Sequence, residues 1–365
     1  MPSTPRGRRR PLILSASMGA GHDTVAAELA RRAAASGAEP HVADVLGLLP
    51  CGLGDGLRRS YQASVRHVPW AYGAVYAAFL RGGGGPRPSG VPLARLAAGR
   101  LMDLVQRLEA DVVVSVFHLA AQLTGDLRAR GRLRVPSAVF LVDFAVHRQW
   151  LHPGNDRYLC LTDSAAAEVR TALGAPAVTT GPAVAPAFRS PAPGADRWRE
   201  RFAGQAPGRP PVLLSAGAWG AASRPDATAR LLTGAGWLPV VLCGRNAQLR
   251  ERVSRVSGAL ALDWVEDMPG LLSAAYALVD NAAGQTSVQA LAVGLPVIGY
   301  RPLPGHGLDG VRRMADLGVS APAPDGPGLL AALGRLTEGG SERAERVARG
   351  RRLFRGDPMA YVARL

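Results

Sequence analysis

Residues Ser15-Ala16-Ser17-Met18-Gly19-Ala20-Gly21-His22 set a histidine at the mouth of a small-residue turn, between an apolar run and a helical pattern over residues 24–35. Gly19 and Gly21 let a ligand approach the backbone, and a helix start attracts anions or polarises a hydroxyl. His22 is of the type that takes up a proton near neutral pH, though a capping or surface histidine fits the same loop. The turn lacks the third glycine of a dinucleotide fingerprint, while Asp44 stands about 20 residues on, where such a fingerprint puts its ribose-binding acid. A second group, Asp143, His147, Trp150 and His152, follows an apolar run at 138–142. It therefore falls at the C-terminal end of a strand, where open parallel sheets place ligands; interdomain packing is the other role open to His147 and Trp150. The two histidines stand five apart with no adjoining cysteine or further ligand pattern, so no metal site is expected. A third group combines Cys243-Gly244-Arg245-Asn246 at one strand end with Asp280-Asn281-Ala282-Ala283-Gly284-Gln285-Thr286-Ser287 at another, before a helical pattern at 288–293. Gly284, Thr286 and Ser287 bring backbone N–H groups, hydroxyls and a helix dipole together, which suits a diphosphate. Gly305 and His306 lie in a rigid proline-glycine loop fit to line a sugar pocket.

The elements that must carry these groups are legible as apolar runs at 11–15, 112–116, 138–142, 212–215, 240–243, 277–279 and 296–300, separated by helical patterns. Such alternation predicts parallel α/β units. A strand, glycine loop and helix recur at 12–29 and 212–232, on either side of a stretch dense in proline, glycine and arginine, with one short helix-compatible patch around Trp198 to Phe202. The expected organisation is a disordered basic tail at 1–10, a Rossmann-like domain at 11–185, a linker at 186–210, a second Rossmann-like domain at 211–340, and C-terminal helices at 341–365 packing back on the first domain. Residues 82–92 read as a mobile loop.

Composition narrows the chemistry. The 365 residues suit two domains, and 47% hydrophobic with 19% charged residues is a globular balance. All 43 basic residues are arginine, against 28 acidic, for a net charge of +15. Without lysine there is no Schiff base, no P-loop lysine and no kinase-type strand lysine. The charge favours an anionic partner, nucleic acid, membrane or phosphorylated small molecule, although a GC-rich genome also yields arginine for lysine. No nucleic-acid reader motif is present, so nucleic acid is not expected. Cys51, Cys160 and Cys243 make neither a zinc pattern nor a disulfide framework, which suits a reducing cytoplasm. No run of about 18 apolar residues appears. Trp70, Tyr72, Tyr76 and Phe79 cluster, the last three at helical spacing, near Arg58, Arg59, Arg66 and Arg81. That face reads either as a membrane-interface surface or as an ordinary core helix.

In order, these blocks resemble those of the glycosyltransferases that group plant galactosyldiacylglycerol synthases, bacterial processive diacylglycerol glucosyltransferases and, more distantly, the peptidoglycan N-acetylglucosaminyltransferase. Gly19 to His22 match the family's glycine-rich first loop, and Asp143, His147 and Trp150 its Thr-Asp-x-x-x-His-x-x-Trp block. Cys243 to Asn246 stand unchanged, and Gly284, Thr286, Ala290, Gly294, Leu295 and Pro296 match a Gly-x-Thr-x-x-Glu-Ala-x-x-x-Gly-Leu-Pro block. The resemblance, over about residues 12–320, implies an α/β GT-B fold of two Rossmann-like domains facing a cleft, the first binding the acceptor and the second the nucleotide sugar. It further implies an inverting, metal-independent hexosyltransferase that uses a UDP-sugar as substrate and needs no cofactor. His22 would be the base, with Asp143 orienting either the acceptor or His22. Gly217, Arg245, Asn246, Gly284, Thr286, Ser287, Gln289, Gly305 and His306 would bind the donor. Gly19, Gly21, Trp70, Tyr72, Tyr76, Phe79, His147 and Trp150 would face a lipid acceptor or an anionic membrane surface, placing the protein peripherally on the cytoplasmic face of the plasma membrane. The departures gather in the donor pocket. The family's ribose-binding glutamate falls at Gln289, its Pro-Gly-Gln-Glu-x-x-Asn run becomes Pro304-Gly305-His306-Gly307-Leu308-Asp309-Gly310, and its triple glycine becomes Ser215-Ala216-Gly217-Ala218-Trp219-Gly220. A soluble natural-product acceptor, a sugar epimerase and a non-catalytic nucleotide-sugar or lipid-binding protein are the alternatives.

Overall fold

The computed structural model describes residues 8–80, 89–217, 224–336 and 339–365. The chain divides into two compact units: Met1–Ala63, Ala74–Ala183 and Arg355–Leu365 in the first, Ser64–Gly73 and Val184–Phe354 in the second.

The first unit is built on six strands: β1 (Pro11–Ser15), β2 (His41–Asp44), β3 (Val112–Ser115), β4 (Ser137–Phe140), β5 (Arg157–Cys160) and β6 (Ala177–Thr179). They are ordered β2-β1-β3-β4-β5-β6, every pair parallel. β1, β3 and β4 are buried along their whole length, the signature of a parallel sheet covered on both faces. Because the chain runs from β1 outward to β2 and then returns to β3, the order reverses between β1 and β3. Open α/β sheets take their ligands at the C-terminal edge of such a reversal.

The second unit repeats the plan with β7 (Pro211–Ser215), β8 (Leu238–Leu242), β9 (Leu260–Leu262), β10 (Ala277–Asp280), β11 (Val297–Tyr300) and β12 (Ser320–Ala323). Their order is β12-β11-β10-β7-β8-β9, again all parallel, so the reversal falls between β7 and β10. Val212, Leu214, Val241, Val279 and Ile298 lie at the centre of its core.

Four expectations change. The helix after β1 starts at Ala20, not at 24, and the helix after β10 at Gln285, not at 288. His22 and Thr286 therefore stand inside first turns. The stretch expected as a linker carries a helix, Ala195–Gln205, whose Trp198 and Phe202, four apart on one face, are buried. The Trp198 indole N–H donates to Asp267 at 3.1 Å, tying this helix into the second unit. The C-terminal helices do not return together: Ser341–Arg351 packs on Gln285–Val293 within the second unit, and only Arg355–Leu365 joins the first. There Arg32 pairs with Asp357 at 3.6 Å. Within the expected mobile loop, residues 81–88 lie outside the described residues, but Val91–Arg95 is already helical. Most of the tail, residues 1–7, also lies outside them, while Arg8 and Arg10 pair with Glu39.

Candidate functional site

In the first unit, His22 stands in the opening turn of helix Ala20–Ala35, with Gly19 as its N-cap and Gly21 beside it. Its Nδ1 donates to the Val116 carbonyl oxygen at 2.8 Å, just past β3. A carbonyl only accepts, so this bond puts the proton on Nδ1 and leaves a lone pair on Nε2. The ring meets Phe117 edge-on at 5.0 Å, and Phe117 lies 4.1 Å from the His118 ring. His118 in turn lies 5.2 Å from His147, and His147 lies 5.8 Å from Trp150. One wall of rings thus joins the ends of β1, β3 and β4. Phe117 and His118 were not singled out from the sequence, although their position after the apolar run at 112–116 was the available signal.

Asp143 joins this wall at Trp150 and His147. Its Oδ2 accepts from the Trp150 indole N–H at 2.8 Å and lies 3.6 Å from His147 Nε2. Burial, and then the Asp143 charge, push the nearby Tyr61 phenol up to about 12. Of the two roles expected for Asp143, holding His22 is filled by Val116. Asp44, the residue a dinucleotide reading would use, instead caps the Leu46 N–H and pairs with Arg58 at 3.1 Å.

The aromatic cluster does not form one exposed face. Tyr76 is buried and meets His147 edge-on at 6.3 Å, whereas Trp70 and Phe79 are exposed; the Tyr72 side chain and Arg81 lie outside the described residues, as does the side chain of Arg66. The reason is local: Tyr76–Leu80 is a π-helical turn, which breaks the 3.6-residue spacing. Gln149, unremarked in sequence, bonds both flanks of residues 81–88, donating to Phe79 O at 2.9 Å and accepting from Gly90 N at 3.0 Å.

In the second unit, Asp280 Oδ2 accepts from the N–H groups of Ala282 and Ala283, at 2.9 and 2.6 Å. This tight turn delivers the chain to Gly284, the N-cap of helix Gln285–Val293. Thr286 is partly buried; Ser287 and Gln289 are buried, and Ser287 Oγ has no hydrogen-bond partner. Gly217 ends β7 at φ +66°, and the following Ala218 to Gly220 lie outside the described residues. The remaining expected donor residues already have structural work. Asn246 caps helix Ala247–Ser254 by accepting from Leu249 N at 3.0 Å, and the Arg245 guanidinium lies 4.7 Å over the Trp264 ring. Cys243 is buried, and burial pushes its thiol up to about 11. Gly305, at φ +87°, is the N-cap of helix His306–Asp316, with His306 its first residue. No group of three metal-ligand side chains is found among the described residues.

The fold defines a class. The chain matches the crystal structure of CalG4, the calicheamicin glycosyltransferase, with TM-score 0.62 at 15% identity over 98% of this chain and 97% of that one. It matches the glycotransferase of kitacinnamycin with TM-score 0.62 at 17% identity over 99% of each. The fold is therefore GT-B, of two Rossmann-like domains. The family resemblance is also borne out: residues 22–181 match the family model described as monogalactosyldiacylglycerol (MGDG) synthase. The processive diacylglycerol beta-glucosyltransferase of Bacillus pumilus (strain SAFR-032) is 26% identical over 229 residues, 60% of this chain. The match spans 59% of that relative's length.

Proposed function

We propose that the protein is an inverting glycosyltransferase that moves a hexose from a UDP-sugar to the hydroxyl of a diacylglycerol-like lipid. The observation that carries this reading is the His22 tautomer: its Nδ1 is bonded to Val116, so Nε2 is left to accept a proton, at the strand reversal of the first unit. His22 Nε2 takes the proton of the acceptor hydroxyl as its oxygen attacks the anomeric carbon. The bond to UDP breaks on the opposite side, which inverts that carbon. The diphosphate leaves against the N-terminus of helix Gln285–Val293, whose dipole and N–H groups offset the charge without a metal or cofactor. Asp143, held by Trp150, orients the acceptor. The lipid assignment rests on the names of the matched family and relative. It is supported by the exposed Val75 and Phe79 of the first unit, apolar side chains suited to peripheral contact with the inner face of the plasma membrane. No helix among the described residues is long and apolar enough to cross a membrane.

The test is UDP release from a panel of UDP-sugars with diacylglycerol vesicles and with soluble acceptors. One donor should turn over on the vesicles, and His22→Ala should lower turnover by about 100-fold or more while UDP binding persists. Transfer only to soluble acceptors overturns the lipid assignment. UDP binding without transfer from any donor overturns the enzyme.

A further inference from the structure

Arg301 carries a positive charge that no carboxylate among the described residues pairs with. It follows β11 at φ +47°, a left-handed backbone that a long side chain enters at a cost. Its guanidinium lies 5.0 Å over the Tyr300 ring. Its Nη1 is buried and has no hydrogen-bond partner. A buried guanidinium nitrogen left in that state is unfavourable unless a ligand completes it. Beside it lies a cavity of about 30 Å³, too small for a sugar ring, lined on its polar side by Ser215, Thr228, Asn281 and Arg301. The cavity sits at the C-terminal ends of β7, β10 and β11, at the strand reversal of the second unit. Asn281 leads through the Asp280 turn to the N-cap Gly284.

We infer that Arg301 binds the diphosphate of the donor. The guanidinium donates to a non-bridging oxygen and so stabilises the charge that grows on UDP as the bond to the sugar breaks. In a chain without lysine, arginine alone can supply a fixed cation here. The strained backbone has a matching explanation: the position is held for its side chain, since glycine would occupy φ +47° freely.

The inference rests on the UDP-sugar reading, and calorimetry with UDP, UMP and uridine separates the two. Wild-type protein should prefer UDP to uridine. Arg301→Gln should weaken UDP by about 10- to 100-fold and leave uridine unchanged, with Arg301→Lys between. Arg301→Gly should melt at or above the wild-type temperature and lose the same preference, which a purely structural arginine would not allow. If Arg301→Gln keeps the full preference for UDP, the inference falls and the nucleotide reading stands; a carboxylate-bearing sugar would then be the anion to try. If the wild type binds neither UDP nor uridine, the nucleotide reading falls and this inference with it.

Discussion

A hydroxyl becomes a useful nucleophile only when its proton has somewhere to go, and in the proposed reaction one bond at His22 decides where. The Val116 carbonyl takes Nδ1–H, so the same contact that orients the ring also selects the basic nitrogen. Asp143 shows a similar economy, because its carboxylate fixes the buried Trp150 indole. Asp143→Asn keeps an oxygen for that indole N–H, whereas Asp143→Ala leaves it unpaired at a cost of about 1–3 kcal/mol. The alanine variant should therefore lose melting temperature and turnover together. The asparagine variant should keep its melting temperature within a few degrees and lose turnover alone. Equal turnover in Asp143→Asn and wild type would remove the charge from the reaction. The three cysteines give a simpler check. Cys51 is exposed, while burial pushes the thiols of Cys160 and Cys243 up to about 12 and about 11. Titration of the native protein at pH 8 with a thiol-reactive disulfide should find one fast thiol, and three after unfolding.

Between neighbouring elements, the glycines at 307 and 310 turn out to be a packing solution. A Cβ on Gly307 would lie 2.9 Å from the Asn281 carbonyl oxygen and 2.9 Å from Leu303 Cβ; one on Gly310 would lie 2.9 Å from Ala283 Cβ. Helix His306–Asp316 thus rests directly on the turn that Asp280 builds, in the space where the resembling family carries glutamate and asparagine side chains. Gly307→Ala should cost about 1–3 kcal/mol by overpacking against backbone, and Gly307→Glu should cost more and not restore family-like hexose selectivity. A stable Gly307→Glu protein with unchanged melting would show that the helix is free to shift. This close approach was invisible in sequence, where the loss of a carboxylate was all that could be read. The alternation of runs such as 112–116 and 277–279 with helices did make the architecture legible, because buried parallel strands are nearly continuous in valine, leucine and isoleucine. β2, β5, β6, β9 and β12 escaped that reading because they are short or are interrupted by polar, small or proline residues, as in His41–Asp44 and Ser320–Ala323. Helix Ala195–Gln205 was legible only as a short helix-compatible patch at 198–202, because proline and glycine flank it and arginine fills its outer face. At the site, His22, Asp143 and Trp150 were found from their place after strands, but the direction in which Asp143 points depends on side-chain packing that spacing does not encode.

In the first unit, the excess of arginine leaves the buried Glu28 and Asp126 and the part-buried Asp156 each paired with guanidinium groups. Burial pushes the Glu28 carboxyl up, but bonds from Arg31 and Arg32 more than offset this and hold it below its ordinary value. Asp126 is lowered chiefly by its bond from Arg95, and Asp156 is lowered because Arg128 and the Ser137 N–H outweigh its desolvation. His152 is lowered by burial, since its charged form is the one desolvated. The signs agree. A carboxyl held low adds stability above its ordinary pKa near 4, and that stability is lost as protons bind below it. A histidine held low adds stability above about 6.5, lost as pH falls through its folded value, because the unfolded chain binds the proton first. All four groups lie in the first unit. Stability of that unit should therefore fall in two stages on acidification, the first just below pH 6.5 through His152 and the second below about pH 4 through the carboxylates, while the growing positive charge adds self-repulsion. Hydrogen exchange read by segment, with wild type and His152→Gln compared between pH 7 and 5, checks the first stage. Exchange in helix His118–Ala129 and in β4 should quicken on acidification in the wild type and much less in the variant, and an identical pH response in both proteins would show that His152 does not carry it.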